Sequence, residues 1–290
     1  MKIAVIGKNG QLAQELNKNY PNHDMKLFGR REINLFDEQS LSNKLDDFEP
    51  QAVINASAYT AVDKAESEKE QAYLLNVTAV QNLASYCAQR QIHLVHISTD
   101  YVFKGDKGSP YLTTDSYSPQ SVYGASKAEG ESILKKTVQK NYTIFRTSWV
   151  YSCFGNNFVK TMLRLMSEKP ELGIIDDQIG SPTWARGLAS ACIYAIENSI
   201  DGVHHWSDLG VASWYDFAMA IQEIAIEKGL LCQKIKINPI PTSAYPTTAK
   251  RPNYSVLDKT SLFNEFSKLE KAHWRNQLSD MLEQFRRIEN

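Results

Sequence analysis

KIAVIGKNGQLAQE, residues 2–15, settles the architecture more than any other stretch of the chain. An apolar run of strand length stops at Gly7, and an amphipathic stretch over 11–19 begins just past Gly10. A strand feeding a helix through so short a turn leaves bare backbone, where a phosphate can approach the N–H groups of the helix end. Ala13 stands in for the third glycine of the dinucleotide-binding pattern, which tolerates alanine there. The plainer reading is a tight strand–helix turn that needs glycine for its dihedral angles. Its place after a first strand, inside a β–α–β unit, favours nucleotide binding.

Outward from that turn the rhythm continues. Strand-like runs are MKLFG (25–29), AVINAS (52–57), HLVHIST (93–99) and YTIFRTS (142–148). Amphipathic stretches cover roughly 38–48, 68–90 and 121–138. This alternation predicts a Rossmann-type α/β fold, a doubly wound parallel sheet with helices on both faces. The strands are apolar throughout rather than alternating, as expected when both faces are covered. After Ser148 the rhythm loosens. A helix from near Asn157, a strand at 172–176 and a helix from Thr183 to about Asn198 come first. GVHHWS (202–207), a long helix after Ser213, KIKINPIP (234–241) and a last helix from about Lys271 follow. The expected division is a nucleotide-binding domain over 1–148, its sheet completed by about 171–198. A smaller interleaved α/β substrate-binding lobe would take 149–170 and about 199–290. The proline-rich stretch 238–252 reads as a long loop, of a length that tends to be functional or mobile.

Bulk composition narrows the function. The 42% hydrophobic and 22% charged residues are those of an ordinary globular protein. Lys+Arg 32 against Asp+Glu 33 leaves a net charge of -1, so no global field draws the chain to nucleic acid or to an anionic membrane. Cys87, Cys153, Cys192 and Cys232 form no C-x-x-C pair and read as reduced thiols. His204 and His205 are adjacent, but no Cys/His cluster has zinc-site spacing, and no metal is expected. MKIAVIG is too short for a signal peptide, and no apolar run reaches the ~20 residues that span a bilayer. The expected compartment is the cytoplasm.

Chemistry gathers at the ends of the strands. The second strand ends in Arg30 and Arg31, with no acid before Glu32. Two guanidiniums where a ribose 2′-phosphate would sit favour NADPH over NADH, and the plain alternative is a solvated charged loop. The third strand ends INASAYT (54–60), with small residues over which a flat ring can pass, and the fourth ends ISTDYVF (97–103). Ligands bind at the carboxyl ends of parallel strands, so Thr99, Asp100 and the next helix should converge. That helix begins SVYGASKAEGE (121–131). Of 14 tyrosines, only Tyr123 has a lysine four positions on, which is about what chance allows. Its order after a glycine turn and a strand-end Thr99 gives the pair a mechanism. Tyr123 would move a proton at a substrate oxygen, Lys127 would tune the phenol and hold the nicotinamide ribose, and Thr99 would hydrogen-bond the same oxygen.

With these motifs the sequence resembles the extended short-chain dehydrogenase/reductase superfamily and, within it, the dTDP-4-dehydrorhamnose reductase family. The supporting stretches include GKNGQLAQE, NASAYTAVDKAESE, LVHISTDYVFKGD, SVYGASKAEGE, IFRTSWVYSCFGNNFVKTMLRL, DDQIGSPT and PTSAYPTTAKRPNYSVLD. The resemblance implies NADPH-dependent reduction, with NADH the alternative, at C4 of dTDP-4-dehydro-6-deoxy-L-mannose. The product would be dTDP-L-rhamnose, a donor for bacterial cell-surface polysaccharides. It further implies that Gly10, Gln11 and Leu12 line the pyrophosphate, Ala58, Tyr59 and Thr60 the nicotinamide half, and Asn34 with Leu35 the adenine. Thr99 and Asp100 would face the sugar and Trp149 would wall its pocket, against the alternative of a core aromatic. Arg251, in the proline-rich loop, could pair with the nucleotide diphosphate.

Two positions depart from the family. Tyr59 stands where histidine is common. Some members bind magnesium between subunits through acids on the helix matching SPTWARGLAS (181–190), together with a glutamate matching Glu15. Here that helix offers Arg186 and Ser190, which do not suit a hard cation, so no intersubunit magnesium and a monomer or weak homodimer are expected. Rival readings are a related nucleotide-sugar ketoreductase or epimerase, and a non-catalytic regulatory subunit like the beta subunit of methionine adenosyltransferase.

Overall fold

The computed structural model describes residues 1–289. Its first half runs β1 (Lys2–Ile6), α1 (Gln11–Asn19), β2 (Asp24–Phe28), α2 (Glu38–Asp46) and β3 (Ala52–Asn55). Two short helices, α3 (Val62–Ala65) and α4 (Lys69–Tyr73), pass through a π-helical turn at Leu74–Thr78 into α5 (Ala79–Arg90). Then come β4 (His93–Thr99), a 3-10 turn at Asp100–Val102, α6 (Val122–Thr137) and β5 (Tyr142–Thr147). The second half begins β6 (Val150–Tyr151), α7 (Phe158–Glu168), β7 (Glu171–Ile175), β8 (Ile179–Gly180), β9 (Thr183–Trp184) and α8 (Ala185–Glu197). It ends β10 (Gly202–His205), β11 (Ala212–Ser213), α9 (Trp214–Glu227), β12 (Lys236–Ile240), α10 (Thr260–Asn264) and α11 (Trp274–Glu289).

Six strands form one parallel sheet in the order β10-β5-β4-β3-β1-β2. The chain steps from β1 out to β2, then returns past β1 to β3 and continues the other way. That reversal opens a crevice above the carboxyl ends of β1 and β3, the usual ligand site of such sheets. Strands buried on both faces need two cores. Ile3, Val5, Ile54, Val95 and Phe145 pack against α1 and α8 on one side. Ala4, Ile6, Val53, Leu94 and Ile144 pack against α2, α5 and α6 on the other. A third core, built on α7, α9 and α11 around Phe217, Met162 and Leu278, holds the second lobe.

The sheet is completed differently from the expectation. The 171–175 strand does not join it, but pairs in parallel with β12 in a separate two-stranded sheet. Its burial alternates residue by residue, which suits a small one-sided sheet rather than a strand covered on both faces. The sixth strand is instead β10, expected in the second lobe, whose Gly202–His205 pairs with Thr143–Arg146 of β5. Helix α8 does lie on the sheet. The first part of the expected 238–252 loop is taken by the end of β12.

Helix α6 comes unusually close to the π-helical turn. A Cβ added at Gly130 would lie 2.2 Å from the Asn76 carbonyl oxygen, so only glycine permits this approach. The four cysteines are free thiols. Among the described residues, no helix is long and apolar enough to cross a membrane.

Candidate active site

At the crevice, the end of β1 touches the end of β3. Gly7 has φ +105°, and a Cβ there would fall 2.9 Å from the Ala56 carbonyl carbon, so this turn admits no side chain. Gly10 caps α1 without a side-chain hydrogen bond, and no acid stands in the first turn. The helix therefore presents N–H groups, and a positive dipole end, to the crevice. Leu12 is buried in the core below. Gln11 instead reaches the second lobe, its Oε1 accepting from Asn157 Nδ2 at 3.0 Å and its Nε2 donating to the Val150 carbonyl at 3.4 Å.

Arg30 and Arg31 are exposed in the turn after β2. The acid that follows is committed elsewhere, with Glu32 bound to Lys8 Nζ at 2.8 Å and accepting from the Gly29 N–H at 3.0 Å. Asn34 is exposed and accepts from the Phe36 N–H, while Leu35 is buried and its carbonyl accepts from Asn82. After β3, Ala58 and Tyr59 are half-buried and Thr60 is exposed. Tyr59 is pinned by Asn76 of the π-helical turn. Its N–H donates to Asn76 Oδ1 at 2.8 Å, and Asn76 Nδ2 donates to its carbonyl at 3.2 Å and to Ser126 Oγ at 2.9 Å. The Tyr59 hydroxyl donates to Glu68 at 2.5 Å.

Thr99 ends β4 and caps the 3-10 turn, accepting from the Tyr101 N–H at 3.2 Å and donating to Asp100 Oδ1 at 3.0 Å. Ser121 caps α6 through the Gly124 N–H, which sets Tyr123 in the first helical turn against this strand end. Burial pushes the Tyr123 phenol above its ordinary pKa; contact with Thr99 pulls it down, and Asp100 and Tyr101 push it further up. Tyr101 packs edge-on against it at 5.5 Å. Lys127 is buried one turn on and donates to the Ile97 carbonyl at 2.7 Å. Burial brings its pKa down to about 8, opposed by the charge of Glu131. The lysine and the phenol share a helix face but do not hydrogen-bond, because the ammonium tucks between α6 and the sheet. The phenol is accordingly kept protonated, which is the form that can donate.

Asp100 is 3% exposed, and burial lifts its carboxyl to about 6 despite hydrogen bonds from its surroundings. Its Oδ2 has no well-formed hydrogen bond, the Ser255 hydroxyl lying beside it. Arg251 sits at the rim, donating to Asp63 Oδ2 at 2.5 Å and to the Tyr101 hydroxyl at 3.3 Å. It ties the proline-rich loop to the segment after β3. Trp149, with φ +48°, is half-buried and stacked on Trp214 with ring centroids 3.6 Å apart. Gly180, from the DDQIGSPT stretch, makes room for its ring.

Several members of this constellation escape a reading of the sequence. Asn76 left only a weak signal, an asparagine inside a helical run it does not favour. Asp63 lies in the NASAYTAVDKAESE stretch after the third strand, but its pairing with Arg251 spans 188 residues. Beneath α6, Glu131 is fully buried and accepts from Arg146 (2.8 Å to Nη2), Ser98 (2.5 Å) and Tyr117 (2.7 Å). Glu15 is equally buried and accepts from Ser152 at 2.6 Å, Trp184 Nε1 at 3.2 Å and Asn19 at 2.9 Å. Arg186 lies over the Trp184 ring, and Ser190 accepts from the Tyr20 hydroxyl.

A parallel sheet with a bare glycine turn at its reversal, and a strand-end threonine beside a helical Tyr-x-x-x-Lys, is the architecture of an oxidoreductase of the extended short-chain dehydrogenase/reductase class. Comparison with known proteins makes the assignment narrower. Residues 1–287 match the family described as "RmlD substrate binding domain". A dTDP-4-dehydrorhamnose reductase from Aggregatibacter actinomycetemcomitans is 40% identical over 289 residues, covering 97% of this chain and 98% of its own. The crystal structure of a dTDP-4-dehydrorhamnose reductase from Clostridium acetobutylicum superposes with a TM-score of 0.92 at 34% identity, covering 99% of this chain and 100% of the other. The same enzyme from Bacillus anthracis, solved in complex with NADP, gives 0.89 at 33% identity and covers 100% of this chain and 99% of its own. This chain belongs to the dTDP-4-dehydrorhamnose reductase family.

Proposed function

We propose that this enzyme reduces the C4 ketone of dTDP-4-dehydro-6-deoxy-L-mannose to dTDP-L-rhamnose with NADPH. The observation that carries the reading is Tyr123, a phenol held protonated by burial beside Thr99, at the carboxyl edge of the sheet. Family membership and the NADP complex of the Bacillus anthracis relative support the cofactor.

The residues present fit a dinucleotide. A pyrophosphate suits the turn that Gly7 keeps clear and the uncapped N–H groups of Gln11 and Leu12, next to Gly10, whose own N–H donates to the Gly7 carbonyl at 2.8 Å. Arg30 and Arg31 would hold a 2′-phosphate, since the neighbouring Glu32 is already bound to Lys8. Asn34 and Leu35 would flank the adenine, and Ala58, Tyr59 and Thr60 would support the nicotinamide half, with Asn76 fixing the Tyr59 backbone. When bound, NADPH supplies the hydride.

The chain supplies the proton and the alignment. Tyr123 gives its hydroxyl proton to the oxygen on C4 as negative charge develops there, and Thr99 hydrogen-bonds the same oxygen. Lys127, a cation one turn below, stabilises the phenolate that remains and holds the ribose. The second lobe, with Trp149 stacked on Trp214, walls the sugar, and Arg251 lies where it can meet the diphosphate once Asp63 releases it. Asp100 faces the sugar from the strand end. Glu15 is engaged within its own chain, and the 181–190 segment offers no acid, which supports a chain that does not assemble through magnesium. NADPH carrying deuterium at its transferable position tests the reaction type. Deuterium should appear at C4 of the product sugar, and an unlabelled product, or none, would refute the reading.

A further inference from the structure

Under Lys127 the sheet carries a buried polar chain that the mechanism above does not use. Asn55 of β3 and His96 of β4 are register partners in adjacent strands, so their side chains project to the same face, beneath α6. Both are essentially inaccessible to solvent. Asn55 Oδ1 accepts from the Ser57 N–H at 3.1 Å and from the Ser57 hydroxyl at 2.6 Å. A backbone N–H can only donate, so it fixes the amide orientation and turns Nδ2 toward His96 Nδ1, 3.2 Å away. Nδ1 is then an acceptor, and the neutral ring carries its proton on Nε2. Burial, together with the charge of Lys127, holds the His96 pKa well below its ordinary value, which keeps the ring neutral. Nε2 lies 3.2 Å from Lys127 Nζ. An ammonium has no lone pair to meet an N–H, whereas a free amine has one and can still donate to the Ile97 carbonyl.

We propose that His96, locked in one tautomer by Asn55, is a positioning residue that opposes the charge of Lys127 and makes its proton readily exchangeable. This rests on the proposed Tyr123–Lys127 pair and deepens it. A reductase that spends the Tyr123 proton in each turnover needs a neighbour that exchanges protons easily. The other groups around the lysine do not supply that property. Glu131, one turn along α6, acts in the opposite sense and is paired with Arg146 of β5. β3 presents the uncharged Asn55, and the π-helical turn the uncharged Asn76, whose amide goes to Ser126. Burial brings the Lys127 pKa down to about 8, and a ring N–H facing Nζ acts in the same direction.

Two NMR titrations of the intact chain test it without any sugar. With 15N-histidine, His96 should stay neutral with its proton on Nε2 from about pH 6 to about pH 10. With 13C-labelled lysine, Lys127 should titrate near 8. In His96→Gln the amide can turn its oxygen to the ammonium, and the Lys127 midpoint should rise by about one pH unit. In Asn55→Asp the carboxylate should accept from Nδ1–H, which reverses the tautomer and raises the midpoint likewise. Circular dichroism checks folding, and Asn55→Asp decides alone if His96→Gln does not fold. A proton on Nδ1 in the wild type, or an unmoved Lys127 midpoint in a folded variant, overturns the proposal. Failure to reduce the keto sugar would refute the proposed function and leave both titrations as they are.

Discussion

Replacing Arg146 by methionine should test the clamp that holds α6, and so Tyr123 and Lys127, on the sheet. The substitution keeps an apolar stem and removes the charge. In the wild type Arg146 is 2% exposed and Glu131 0%, and the guanidinium makes three hydrogen bonds to the carboxylate at 2.8 to 3.1 Å. It also lies over the Phe103 and Tyr117 rings and donates to the Thr113 carbonyl. Burial alone would raise the Glu131 pKa, but the bonds and charge of Arg146, with Ser98 and Tyr117, hold it below the ordinary value. Stability from this group is therefore present above the unfolded pKa and lost as pH falls through the lower folded one. Arg146→Met strands the carboxylate, which should cost about 3–5 kcal/mol of a total of roughly 5–15. The sign of the pH dependence then inverts. Without the arginine the folded pKa lies above the unfolded one, so the loss should be full near pH 8 and shrink near pH 5, by up to ~1.4 kcal/mol per pH unit. Urea unfolding followed by circular dichroism at both values measures it. A cost under about 1 kcal/mol at pH 8, or a cost independent of pH, would refute the clamp.

Gly130→Ala should destabilise by about 1–3 kcal/mol, because its Cβ would press on the Asn76 carbonyl; an unchanged denaturation midpoint would show that α6 shifts freely. Serine at both Arg30 and Arg31 should raise the KM for NADPH by about 10-fold or more while leaving that for NADH nearly unchanged, and equal effects would place the 2′-phosphate elsewhere. Asp100, lifted to about 6, binds more protons folded than unfolded, so it lowers stability as pH rises from about 4 through 6. Asp100→Asn should therefore flatten the slope of stability against pH in that window and gain up to about 3 kcal/mol at pH 7. An unchanged slope contradicts the assignment.

Local chemistry made most of the fold legible. The first glycine turn, the apolar strands and the Tyr-x-x-x-Lys helix all declare themselves within short windows, and β1 through β5 lie within one residue of where the sequence puts them, except for the end of β3, which comes two residues early. The completion of the sheet was not legible. The 171–175 and 202–205 strands are both short, and only tertiary pairing tells which one adds to β5. The candidate site divides in the same way. Thr99, Tyr123 and Lys127 follow from order along the chain, but the partners of the lysine do not. Asn55 and His96 meet only because two strands 41 residues apart adopt one register, and Arg146 meets Glu131 only across a helix–sheet interface. Arg251 reads as a free diphosphate ligand in sequence, whereas the fold gives it Asp63 and Tyr101.

The central claim is that Tyr123 donates a proton during reduction of a dTDP-4-keto sugar. Its most direct test is NADPH oxidation by wild type and Tyr123→Phe, side by side, with the keto sugar. The wild type should turn over, and the variant, folded and still binding NADPH, should lose about 100-fold or more in kcat. Full activity in Tyr123→Phe would contradict the account.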